Sequence, residues 1–243
     1  MRLLVLLLSL SMPVIAWFDQ RRAFGPTNGE VSNSYPTLLV AAGYAFSIWG
    51  LIFLLDVLHA LMQASGRRRA LPSLSRAAPW TALGFAATAV WMPLFSGGHY
   101  ALCVLVIAAA TAGMVQASRI VLADPDVPAL SRWALPLHAG WLTLASFLNL
   151  AQAIVAYRWL PTGDMLGWSL VLLVLATVAL LLVNARLRSL PYAAAAVWGL
   201  VAAWVRQHDS TLPGANVTAV AALVAAALVV AQLLVAGRRR RRH

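Results

Sequence analysis

Ala42-Gly43-Tyr44-Ala45-Phe46-Ser47-Ile48-Trp49-Gly50-Leu51-Ile52-Phe53-Leu54-Leu55-Asp56-Val57-Leu58-His59-Ala60-Leu61-Met62 is an apolar run broken by one carboxylate and one imidazole. A bilayer core of about 30 Å is crossed by about 20 such residues wound as a helix. The run reaches back to residue 37, and seven others of its kind occupy 3–17, 79–95, 100–121, 133–157, 166–183, 191–205 and 215–236. Unpaired backbone groups cost several kcal/mol each in hydrocarbon, so runs of this length are expected as helices rather than open strands. The expected fold class is all-α, a polytopic transmembrane helical bundle of about eight helices.

Composition points the same way. Of 243 residues, 62% are hydrophobic and 10% charged, with a mean hydropathy of +0.81, which leaves too few polar side chains to cover a water-facing surface. The lipid bilayer is the expected partner. The net charge is +11 and every basic residue is Arg, a balance that raises nucleic acid as a partner. These arginines instead sit in short loops and one tail. With the N-terminus inside, Arg2, Arg67, Arg68, Arg69, Arg76, Arg119, Arg132, Arg186, Arg188 and those at 238–242 face the cytoplasm. Only Arg21, Arg22, Arg158 and Arg206 face outward. That asymmetry is the positive-inside pattern of eight spans with both termini cytoplasmic, and no nucleic acid is expected. Residues 1–16 fit a membrane helix, but Arg2 and the Val14-Ile15-Ala16 site also fit a secretory signal peptide. Cys103 is the only cysteine, so one chain holds no disulfide.

Turn residues mark the breaks: Ser96-Gly97-Gly98-His99, Asp124-Pro125-Asp126 with Pro128, and Leu160-Pro161-Thr162-Gly163-Asp164. Loops this short make neighbouring helices antiparallel. The longest outer segment, 18–36, holds Gly25-Pro26, Asn28-Gly29 and Tyr35-Pro36 and is long enough to fold over a cavity mouth. Val197-Trp198-Gly199-Leu200 echoes Ile48-Trp49-Gly50-Leu51, a match short enough to be chance in a chain this rich in Trp, Gly and Leu.

Trp17, Trp80, Trp133, Trp159, Trp168 and Trp204 fall near helix ends, where indoles anchor at the headgroups. Trp49, Trp141 and Trp198 lie deeper and Trp91 about one turn from an outer end; these are expected to line packed or ligand-filled space. Trp49, Phe53 and Asp56 share one helix face. A carboxylate within an apolar run is expensive unless paired, and His59, one turn on, is the nearest candidate partner for a proton-coupling role. The Arg67–Arg69 cluster offers Asp56 a purely structural alternative. Trp141, Ala145, Asn149 and Gln152 form a second stripe, suited to bonds between helices or to a ligand's polar edge. No nucleophile elbow, phosphate loop, Cys/His couple or His pair at metal-ligand spacing is present, so no enzyme activity, metal or cofactor is expected.

Three segments carry a resemblance. Ser34-Tyr35-Pro36 with Ala42 to Ile52, then Trp91-Met92-Pro93-Leu94-Phe95 with Gly98-His99, then Trp141-Leu142-Thr143-Leu144-Ala145-Ser146-Phe147-Leu148-Asn149, occur in the order of the motifs of the tryptophan-rich sensory protein (TspO/translocator) family. The chain resembles its longer bacterial members. The resemblance implies a five-helix core over 1–158 including the outer loop 18–36, three additional transmembrane helices over 159–237 and a basic cytoplasmic tail over 238–243. It also implies a bacterial inner membrane location and a hydrophobic planar ligand, a tetrapyrrole such as protoporphyrin, bound for sensing or transport. By resemblance, Tyr44, Phe46, Trp49, Trp91, Phe95, His138, Trp141 and Asn149 surround the ligand, and Arg21 and Arg22 are suited to its carboxylates. Thr88 stands where the family has Asn, Met92 where it has Ser, and His138 where it has Tyr. The competing reading is a proton-coupled secondary transporter using Asp56 and His59. The Gly43-to-Ser47 spacing permits close helix contact and is compatible with a homodimer.

Overall fold

A computed structural model describes residues 1–65 and 71–240, and among these no strand forms. Eight long helices follow the eight apolar runs: α1 (Arg2–Gln20), α3 (Ile48–Ala64), α4 (Pro72–Ser96), α5 (Tyr100–Leu122), α6 (Ala129–Tyr157), α7 (Leu166–Leu187), α8 (Leu190–His208) and α9 (Ala215–Arg240). A short helix, α2 (Asn28–Ser34), lies in the outer loop, and a 3-10 turn, Gly43–Ser47, leads into α3. The Arg67–Arg69 cluster and the arginine side chains of the C-terminal tail lie outside the described residues.

Six of these elements are long and apolar enough to cross a membrane: α1, Gly43–Ala64, α5, α6, α7 and Ala215–Val235 of α9. The protein is therefore a multi-pass helical membrane protein. Of the other two long helices, α4 carries more Pro, Ser, Thr and Ala, and α8 ends in the polar residues Arg206, Gln207 and His208. Each is clasped by neighbours, α4 by α1 and α5, α8 by α6 and α9, so less of its surface needs to be greasy. On α7, by contrast, Val171, Val174, Leu175, Val178 and Leu182 are exposed, as a lipid-facing helix requires.

Two rings of helices share α6. In the first, α1 packs on α3 and α4, α4 on α5, α5 on α6, and α6 returns to α3. In the second, α6 meets α7 and α8, and α9 closes against both. This double duty explains why α6 is the most buried of the membrane-crossing helices. Glycines set the closest approaches. A Cβ on Gly113 of α5 would sit 2.8 Å from the Trp80 carbonyl of α4, and one on Gly140 of α6 would collide with the Tyr192 backbone of α8.

Residues 37–42 depart from the expected helix over 37–62. They follow Pro36 as irregular backbone that bends at Leu38 and Leu39, both fully buried. Irregular backbone at membrane depth persists only where protein satisfies it. Here the Thr37 carbonyl accepts from Gln207 Nε2 (3.1 Å), and the Ala42 N–H donates to the Ala202 carbonyl (2.9 Å), both on α8. Just beyond, Trp198 Nε1 donates to the Ala45 carbonyl at 3.1 Å. That bond explains a second departure: Trp198, expected deep, is 38% exposed at the flank of α8.

The outer loop also holds more structure than its Gly and Pro content implies. Thr27 caps α2, accepting from the Glu30 N–H (3.2 Å), while the Glu30 carboxylate accepts from the Thr27 N–H (2.8 Å). Arg22 completes the set through an ion pair with Glu30. The Thr27 N–H, then the Arg22 guanidinium, hold the Glu30 carboxyl below its ordinary range. A carboxyl lowered on folding contributes stability above its unfolded range and loses it as pH falls through the lowered folded value. Amide exchange over 27–34, corrected for the intrinsic rate, is therefore expected to accelerate on acidification. Glu30→Gln, which keeps the capping geometry without a titrating group, is expected to remove that acceleration; an unchanged pH dependence would refute the account.

Candidate ligand cavity

Six of the eight residues drawn from the resemblance, Phe46, Trp49, Trp91, Phe95, Trp141 and Asn149, line one cavity between α3, α4 and α6, together with Ser32, Ala41, Ala145 and Gln152. The helical stripe of α6 aims Trp141, Ala145, Asn149 and Gln152 into it. Five aromatic rings stand in the wall. Trp91 stacks on Phe95 with centroids 4.6 Å apart, and Trp141 meets Trp49 and Phe46 edge-on at 6.0 and 6.5 Å. α2 forms part of the roof through Ser32, whose carbonyl accepts from Gln152 Nε2 at 3.2 Å.

The polar groups in this wall are unevenly matched. Trp91 Nε1 donates to Asn149 Oδ1 at 2.7 Å. The donor group of that amide, Asn149 Nδ2, has no partner, and neither has Trp141 Nε1, although both side chains are 2% exposed. A buried donor without an acceptor costs about 1–3 kcal/mol, and both of these belong to residues that line the cavity. The free space is about 30 Å³, room for about one water.

A larger cleft of about 440 Å³ adjoins it, bounded by Trp17, Asp19, Asn28, Gly43, Gly50, Phe53 and Met92. Phe46 and Trp49 line both spaces and form the partition between them. At the cleft's outer end Asp19 is buried, accepting from Ser96 Oγ and from the Asn28 N–H (3.1 Å). Asn28, with its amide nitrogen turned inward, donates to Ser96 Oγ (3.0 Å) and to the Met92 carbonyl (3.2 Å). This knot ties α1, α2 and α4 together, and nothing local in the sequence singled out Asp19.

Two of the eight residues lie elsewhere. Tyr44 is 45% exposed and packs edge-on against Trp198 at 5.4 Å, because the 3-10 turn points it toward α8. His138 is fully buried beneath the cavity and donates from Nδ1 to Asp56 Oδ2 at 2.8 Å. Asp56 is thus paired across helices with His138, not with His59 on its own helix. His59 turns to Ser131 Oγ at 2.8 Å instead. The outer arginines are engaged as well, Arg22 with Glu30 and Arg21 over the Trp17 ring at 4.1 Å.

Comparison with known proteins agrees with the architecture. No curated protein and no solved structure matches the chain. A family model described as TSPO-like protein matches residues 2–235, running from α1 through most of α9 rather than stopping at the fifth long helix. The chain belongs to the TSPO-like protein family.

Proposed function

We propose that this protein is a membrane receptor or carrier for a flat, largely apolar ligand with hydrogen-bond acceptors at its edge, a tetrapyrrole being the class that fits best, and that it performs no chemistry on it. The observation that carries the reading is the pair of unpartnered buried donors, Trp141 Nε1 and Asn149 Nδ2, set among aromatic faces. Aromatic walls suit a conjugated ring, and a few placed polar groups fix its orientation. Ligand sites typically span about 300–1,000 Å³, so occupancy requires Phe46 and Trp49 to swing aside and merge the cavity with its neighbouring cleft. In this reading residues 1–158 bind the ligand and 159–237 brace them. The chain sits in a bacterial inner membrane with both termini cytoplasmic, an orientation the arginine distribution supports.

Titrating purified protein with protoporphyrin in mild detergent tests the proposal through quenching of tryptophan emission. Saturable quenching at low micromolar ligand is expected. Trp141→Phe and Asn149→Leu each remove one donor to the ligand and are expected to weaken binding about two- to tenfold. Trp141→Phe removes an unpartnered buried donor along with part of a packed ring, so it is expected to cost less thermal stability than Asn149→Leu, which strands the Trp91 N–H. Quenching that never saturates, or equal affinity in all three proteins, would reject the role.

A further inference from the structure

The interior of the first ring contains a file of polar side chains that ligand binding as described does not use. Ser131, in the first turn of α6, bonds to His59; one turn along α3 from His59 stands Asp56; Asp56 bonds to His138; and His138 Nε2 lies 3.3 Å from Thr88 Oγ1. Each is 1% exposed or less. Asp56 uses only Oδ2, and Oδ1 has no partner. The pair does not line the cavity but lies one helical turn below residues that do. Trp141 and Trp91 follow His138 and Thr88 by three residues on their helices, a rise of about 4.5 Å. The Trp49 ring meets both His138 (5.7 Å) and Trp141 (6.0 Å) edge-on.

Other titratable groups on the surrounding elements are engaged elsewhere or placed at helix ends. Arg2 of α1 bonds to Ser75 and Asp19 to Ser96; Arg76 of α4 bonds to Ser73; Arg132 of α6 bonds to the Asp124 carbonyl. Tyr44 of the 3-10 turn packs on Trp198, Tyr192 of α8 donates to Thr143, and Arg119 of α5 to Gln116. Tyr100 and Cys103 of α5, Tyr157 and Arg158 of α6, Arg186 of α7, and Arg206 and His208 of α8 make no hydrogen bond or ion pair with Asp56 or His138. Among the described residues, only His59 shares the pair's layer.

We propose that Asp56 and His138 form a proton-binding site that takes up one proton when an anionic ligand enters the cavity above it. This rests on the binding role proposed above and names the ligand's charge. Asp56 Oδ1, without a partner beside the His138 imidazole, is free to accept a proton. A ligand carboxylate brings one negative charge into a medium where an uncompensated charge is strongly disfavoured. Transfer of one proton from hydronium at the inner surface onto Asp56 Oδ1 offsets the charge of the one carboxylate buried in the cavity, the second carboxylate of a diacid staying at the outer surface. One O–H bond forms, no bond in the protein breaks, and His59 and Ser131 give the route inward.

The test compares protoporphyrin with its uncharged dimethyl ester on the whole protein in weakly buffered detergent containing a pH indicator. Uptake of about one proton per bound diacid and none with the ester is expected. Binding of the diacid is expected to weaken about tenfold per unit from about pH 6 to about pH 8, where its carboxylates are already ionised, while the ester's affinity stays flat. Asp56→Asn is expected to abolish uptake and flatten the diacid profile. Should that variant not fold, the diacid–ester difference in the wild type decides alone. Saturable binding of both ligands with flat profiles, or equal proton uptake with both, overturns the proposal while leaving the binding role intact. Saturable binding of neither overturns the binding role and this proposal with it.

Discussion

Replacing His138 by leucine is expected to destabilise the protein by about 3–5 kcal/mol, because it strands the Asp56 carboxylate in the bundle interior with neither oxygen partnered. His138 Nδ1 supplies the one hydrogen bond that Asp56 receives, and both side chains are fully sealed from outside. Phe85 stacked on one side of the imidazole and Trp49 edge-on at the other leave no space for water to replace it. Thermal unfolding in detergent, followed by circular dichroism, reads the loss. The control is the double change Asp56→Leu with His138→Leu. Removing both members of a buried pair is often neutral or stabilising, so the double variant is expected to melt well above the single one. If the two melt together, the loss came from packing around the ring and the electrostatic account fails.

Gly140→Ala is expected to be the most damaging single-carbon addition, about 3 kcal/mol, from the upper part of the range for overpacking. Its Cβ would meet the carbonyl, carbonyl carbon and Cα of Tyr192, and backbone cannot swing away as a side-chain tip can. The two helices would have to part, stretching the 3.0 Å bond from the Tyr192 hydroxyl to Thr143 Oγ1. Gly199→Ala presses on the tip of Leu144 first and is expected to cost less. Gly50→Ala faces open space and is expected to be neutral or slightly stabilising through helix propensity. Equal melting temperatures for the Gly140 and Gly199 variants would show that the α6–α8 contact has slack.

The helices were legible because lipid imposes one solution on an apolar run of sufficient length, and Gly and Pro punctuate the loops between them. The α6 stripe of Trp141, Asn149 and Gln152 was legible too, since helical spacing alone puts them on one face. Asp56's partner was not. A carboxylate's neighbours along its own helix can be counted off, and His59 stands there, but His138 lies 82 positions away and meets Asp56 only because α3 packs on α6. Residues 37–42 have a helix-compatible composition, and what keeps them out of a helix is Pro36 together with acceptors and donors on α8, far along the chain. For α2 a local signal existed, Thr27 followed three positions later by Glu30, but Asn28-Gly29 between them reads first as a turn. Tyr44 illustrates the limit of a motif: its position in the segment was right for a cavity wall, yet one 3-10 turn rotates it onto Trp198.

The irregular stretch held by α8 bears on the order in which the molecule is made. Thr37 and Gln207 are separated by 170 positions, so the ribosome releases residues 37–42 toward the membrane long before their anchors exist. Until then those amides and carbonyls have only water or the translocation machinery to satisfy them. The first ring must wait, part-formed at its outer rim, for the last third of the polypeptide to arrive and lock it, so maturation is a late, long-range event.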